Sequence, residues 1–108
     1  MAVLWRGTVE GSGGARLAVA VHRPATAMLP GRMPLLIIRG WGMVKEDSAI
    51  LAARLAAAGN RSVVTMDNRG VGLSTVSGPH PDFSLEAMAA DAAAVIAQCC
   101  SGDGAAAG

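Results

Sequence analysis

Two short apolar runs, each emptying into a glycine-framed loop, constrain this chain more than any other feature. Leu35-Leu36-Ile37-Ile38 leads into Arg39-Gly40-Trp41-Gly42, and Val63-Val64-Thr65-Met66-Asp67 leads into Asn68-Arg69-Gly70-Val71-Gly72-Leu73-Ser74. The stretch between them, Glu46 to Ala58, reads as a helix. Strand, loop, helix, strand, loop is a βαβ unit, in which both loops leave the same edge of the sheet. In open α/β sheets ligands sit beyond that edge, where the strands end. Leu35 to Ile38 has no polar residue, as expected of a central parallel strand with helices on either face.

Ahead of this unit, Val3 to Val9 alternates weakly and Arg16 to His22 alternates clearly, with Leu17, Val19 and Val21 on one face. The turn cluster Glu10-Gly11-Ser12-Gly13-Gly14 between them predicts an antiparallel hairpin. Arg23 to Pro34, with Pro24, Pro30, Gly31 and Pro34, reads as a loop. Pro34 lacks an N–H and fits only the first position of the strand that follows. The first helix places Glu46 and Asp47 near its positive end and Ile50, Leu51, Leu55 and Ala58 on an apolar stripe, with Gly59 as a left-handed stop. Gly78-Pro79-His80-Pro81 is a loop. Ser84 then caps a second helix with Glu86 in its first turn. Its stripe, Leu85, Met88, Ala92, Val95, Ile96 and Cys99, needs a sheet beneath it.

A length of 108 residues, 52% of them hydrophobic, allows one domain with a core. The net charge of +1 shows no basic or acidic block, and the aromatic residues are limited to Trp5, Trp41 and Phe83. Nucleic acid is therefore not an expected partner. No apolar run approaches the ~20 residues needed to span a bilayer, and the first residues lack the pattern of a signal peptide. No membrane partner and a cytoplasmic location are expected. Cys99 and Cys100 are adjacent, a geometry that disfavours a bridge between them. No cofactor and no metal are called for.

The loops Arg39-Gly40-Trp41-Gly42 and Asp67-Asn68-Arg69-Gly70-Val71-Gly72-Leu73-Ser74 resemble those of the α/β-hydrolase superfamily. Its members typically carry a His-Gly-x-Gly-like loop after the third strand and Asp-x-Arg-Gly-x-Gly-x-Ser after the fourth. The second motif matches at every fixed position. Leu51 to Gly59, and Asp82-Phe83-Ser84-Leu85 with Asp91, are also similar to that family. The resemblance implies residues 1–100 as the amino-terminal part of such a domain, with 101–108 as a flexible tail. The implied fold is α/β, a partial α/β-hydrolase sheet with an amino-terminal antiparallel hairpin followed by a parallel βαβα unit.

For the site, the resemblance makes the backbone N–H of Trp41 an oxyanion-hole donor, with Gly40 and Gly42 allowing close approach. One such donor is worth ~3 kcal/mol to a developing acyl oxyanion. Arg39 stands where the family usually has His. Asp67, Arg69, Gly70, Gly72 and Ser74 are expected to be structural, a buried Arg–Asp pair and two glycines fixing a loop beside the site. His22 and His80 are not placed like the family's catalytic histidine and read as surface residues. The nucleophile's Gly-x-Ser-x-Gly is missing: Gly72-Leu73-Ser74-Thr75-Val76 ends in valine. Without nucleophile, acid or histidine, the chain is expected to be esterase- or lactonase-like in ancestry and inactive alone. An ester-like small molecule would be its substrate only within a full domain.

The resemblance also implies that the strand at Ser62 lies between the hairpin and the strand at Leu35. The helix from Glu46 would cover one face and that from Ser84 the other. The outer edge of Leu35 to Ile38 would be uncovered, inviting self-association. Two alternatives compete. In a dinucleotide-binding oxidoreductase domain, Gly40-x-Gly42 would open a helix and Asp67 would bind a ribose, but Lys45 stands where the third glycine should be. A non-catalytic partner-binding module is the other.

Overall fold

The computed structural model describes residues 2–25, 33–40, 42–79 and 81–100. Two nine-residue strands open the chain, β1 (Ala2–Glu10) and β2 (Arg16–Pro24), paired antiparallel from Ala2 opposite Pro24 to Glu10 opposite Arg16. The predicted hairpin is present, and β2 runs on through Arg23 and Pro24, which the sequence placed in the loop. Next come β3 (Leu35–Ile38), a 3-10 turn (Lys45–Ser48), α1 (Ala49–Gly59), β4 (Val63–Met66) and α2 (Leu85–Cys99). The sheet order is β1-β2-β4-β3, with β3 parallel to β4 and β2 antiparallel to it. The strand after α1 does lie between the hairpin and β3.

Alternation along the strands sends side chains to two separate cores. Leu17, Val19 and Val21 of β2 and Val64 and Met66 of β4 face Val95 and Cys99 of α2. Val63 of β4, with Ile37 of β3 beside it, faces Ala52 and Ala56 of α1. The two helices thus cover opposite faces. Leu17, Val19, Val21, Val64 and Val95 are at most 1% exposed, and each contributes about 1.5–3 kcal/mol.

The helix faces differ from the sequence expectation. Ile50, Leu51 and Leu55 are exposed, as is Ala58, and the buried line of α1 is Ala52 and Ala56. A helix this rich in alanine packs its small side chains on the sheet, where they permit close approach, and turns its branched ones out. In α2 the buried line is Ala87, Asp91, Val95 and Cys99; Leu85 and Ile96 are exposed. Ser84 caps α2 as expected, its hydroxyl accepting from the Ala87 N–H at 3.1 Å. The left-handed stop of α1 is Asn60, at φ 49°, rather than Gly59. β3 is an edge strand among the described residues, so Leu35 and Ile38 are exposed rather than covered on both faces.

Both cysteines are free and buried, and burial pushes their thiols above the ordinary range. No helix among the described residues is long and apolar enough to cross a membrane. The expected tail, 101–108, lies outside the described residues.

Candidate active-site loops

Both glycine loops leave the carboxyl ends of neighbouring parallel strands, β3 and β4, because Ile38 and Met66 are in register. Two side chains of the second loop hold the two ends of the first. At the β3 end, the Asn68 side-chain amide donates to the Arg39 carbonyl at 3.1 Å. At the helix end, the Asp67 carboxylate accepts from the Lys45 N–H at 2.6 Å and from Lys45 Nζ at 3.1 Å. Its second oxygen also takes the Leu73 N–H at 3.1 Å, tying its own loop down.

Asp67 is completely buried and Lys45 is 3% exposed, so this is an interior ion pair. Glu46 adds a second carboxylate at 2.9 Å, from a side chain that is 54% exposed. Burial alone would lower the Lys45 pKa, but the bonds to Glu46 and Asp67 outweigh it and raise the group above its ordinary value. Asp47 completes the turn by accepting the Val44 N–H at 3.0 Å.

Gly72, at φ +55°, is where the geometry demands glycine. A Cβ there would lie 2.5 Å from an Asp67 carboxylate oxygen, so any side chain would push the anchor out of place. Gly42, at φ +80°, also needs glycine for its backbone, whereas the space around both Gly40 and Gly42 is open. Gly70 lies in the same left-handed region as Gly72. Trp41, the expected oxyanion donor, lies outside the described residues, as does His80.

Behind the loops a second network fixes their base. The Arg69 guanidinium, 1% exposed, meets Asp91 with Nε at 2.7 Å and Nη2 at 2.9 Å. It also donates to the carbonyls of Asp82, at 2.7 Å, and Ser12, at 2.8 Å. Asp91 in turn accepts the Ser12 N–H at 2.9 Å. One side chain therefore joins the hairpin turn, the β4 loop and α2. The buried Arg–Asp pair exists, but its acid is Asp91 and not Asp67, which is taken by Lys45. Ser74 is buried, accepting the Ala18 N–H at 2.8 Å and donating to the Asp67 carbonyl at 2.7 Å.

His22 is buried, at 5% exposure, and not a surface residue. It lies on the inner face of β2 under α1, and burial first, then the charge of Arg6, lowers its pKa. Among the described residues no group of side chains could hold a metal ion. The ribose-binding role considered for Asp67 does not fit: its carboxylate is buried and already holds three donors.

Solved structures resemble this arrangement. An α/β hydrolase from Sphaerobacter thermophilus superposes with a TM-score of 0.65 and 27% identity, over 84% of this chain and 31% of its own. An N-formylmaleamic acid deformylase from Pseudomonas putida S16 gives 0.62 and 28%, over 88% of this chain and 32% of its own. The chain has the fold of part of an α/β-hydrolase domain. A hypothetical protein from Pseudomonas aeruginosa shares the fold at a TM-score of 0.71 and 23% identity, over 89% of this chain and 30% of its own. The chain thus spans about a third of the length of each of these structures. No family model and no curated protein matches it.

Within this hydrolase fold, three residues shape the loops without having been assigned roles from the sequence: Lys45, Asn68 and Asp91. Asp91 did carry a signal. It lies four residues after Ala87 and four before Val95, an acid on the buried line of a helix, and such a residue needs a cationic partner. Lys45 and Asn68 carried none, since both are ordinary loop residues in sequence.

Proposed function

We propose that this chain forms the oxyanion-hole side of an α/β-hydrolase site acting on an ester-like or amide-like acyl group. In this reading the loop after β3, with Trp41 as donor and Gly40 and Gly42 beside it, meets the developing oxyanion. Asp67, Arg69, Gly70, Gly72 and Ser74 hold the neighbouring loop, and none of them touches substrate. The observation that carries the reading is the double hold on the first loop, by Asn68 at the Arg39 carbonyl and by Asp67 at Lys45. An oxyanion donor works only if it is fixed before the charge appears, and these contacts fix both flanks of the loop. The likeness to a deformylase and to another α/β hydrolase supports acyl chemistry. The nucleophile, acid and catalytic histidine are not among these 108 residues in this reading. Purified chain incubated with p-nitrophenyl acetate is expected to release nitrophenol no faster than buffer. Turnover above buffer, or a covalent adduct with a serine-directed reagent, would overturn the assignment.

We also propose that the open edge of β3 pairs with a second copy. The Leu35 N–H donates to the Ser62 carbonyl at 3.0 Å, so alternation turns the N–H and C=O groups of Leu36 and Ile38 away from β4. Antiparallel neighbours must oppose residues of the same face, and Pro34 has no N–H to offer. The fitting register centres on Ile37, with Leu36 opposite the partner's Ile38. No charged residue guards this strand, and a net charge of +1 gives little repulsion between copies. The Ile38 side chain is 52% exposed, so Ile38→Lys should leave the fold intact while weakening association at least about tenfold in sedimentation equilibrium. A monomeric wild-type chain at high concentration would refute the pairing.

A further inference from the structure

On the α1 face of the sheet, away from the loops' outer surface, lies a half-open pocket of about 20 Å³ lined by Arg6, Ala20, His22, Lys45, Ala49 and Thr65, among others. Thr65 is 1% exposed, and its hydroxyl meets no donor or acceptor among the described residues. A buried hydroxyl in that state is destabilising, and nothing in an apolar strand requires threonine rather than valine there. Lys45 contributes a second unused group. Its ammonium has three hydrogens; Glu46 and Asp67 accept two, and the third has no acceptor among the described residues. His22 supplies a third, since a neutral imidazole always has one nitrogen free to accept. Burial and the nearby Arg6 charge favour that neutral form.

A polar cavity holds a water molecule when it offers about 10–15 Å³ and two to four partners. We infer that a single structural water is bound between Lys45, Thr65 and His22. It accepts from Lys45 Nζ and donates to Thr65 Oγ1 and to the unprotonated nitrogen of His22. This assignment accounts for three polar groups at once and gives Thr65 a reason to be threonine. It also connects the inner strand of the hairpin to the turn that anchors the β3 loop. The water does not rest on the catalytic reading: Lys45 holds the end of the β3 loop through its backbone N–H, whereas the water uses its ammonium.

Thr65→Val separates this assignment from an idle hydroxyl, because the two give opposite signs. With the water, the variant removes one of its three partners and sets a methyl group against it, so Tm should fall by about 4–8 °C. Without it, valine removes an unmatched polar group from a strand and Tm should hold or rise. The second readout needs no variant: in NMR spectra of the 108-residue chain, a long-lived water should give cross-peaks to Thr65 and His22. Either an unchanged or raised Tm in Thr65→Val, or the absence of those cross-peaks in the wild type, would overturn the assignment.

Discussion

Arg69→Ala is expected to remove about 3–5 kcal/mol of stability, the usual cost of stripping one partner from a buried ion pair. Small domains have only ~5–15 kcal/mol in total, so the variant should be largely unfolded in mild urea where the wild type is native. The size of the effect follows from what is left behind. Asp91 remains at 1% exposure without its cation, and the Asp82 and Ser12 carbonyls lose their donor. Arg69→Lys keeps the charge but cannot present the fork that meets both oxygens of Asp91, so it should fall between the two. The double variant Arg69→Met with Asp91→Leu should recover much of the loss, since a packed apolar pair leaves no stranded charge. Urea denaturation followed by circular dichroism measures all four chains. A loss below about 1 kcal/mol for Arg69→Ala would mean that the network does not hold the loop, the hairpin turn and α2 together.

The same network shows what a sequence can and cannot disclose about this fold. β3, β4 and the hairpin were legible because apolar alternation and glycine clusters are local signals, and local sterics decide them. Ser84 was legible as a cap for the same reason. The helix faces were misread. Periodicity counts branched apolar residues, and α1 instead turns Ile50, Leu51 and Leu55 outward while Ala52 and Ala56 approach the sheet. The pairing of charges was legible only in kind. A motif with Asp67 and Arg69 two positions apart suggests that they meet, yet their backbone positions send them to different layers. Asp67 joins Lys45, 22 residues before it, and Arg69 joins Asp91, 22 residues after. His22 looked like a surface residue because its hairpin position says nothing of the helix that later covers it.

Asp67→Ala should be nearly as damaging, and its damage should reach the loop after β3. The wild-type carboxylate holds the Lys45 N–H, the Lys45 ammonium and the Leu73 N–H. Without it, a lysine at 3% exposure keeps only Glu46, whose half-exposed carboxylate is a weak partner. A loss of about 3–5 kcal/mol is expected. Asp67→Asn should recover little, because its NH2 group turns a donor toward donors. Glu46→Gln is the contrast: removing the more exposed acid should cost less than about 1 kcal/mol. Stability alone does not connect Asp67 to the loop, and hydrogen exchange does. The Lys45 N–H anchors the helix end of the segment that begins at Gly40, so exchange at residues 42–45 should accelerate in Asp67→Ala under conditions where the rest of the sheet stays protected. Exchange should stay near the wild-type rate in Glu46→Gln. If the two variants proved equally mild, or if exchange in the loop ignored Asp67, then the acid would be only a packing element and the fixed-donor account of the loop would lose its support.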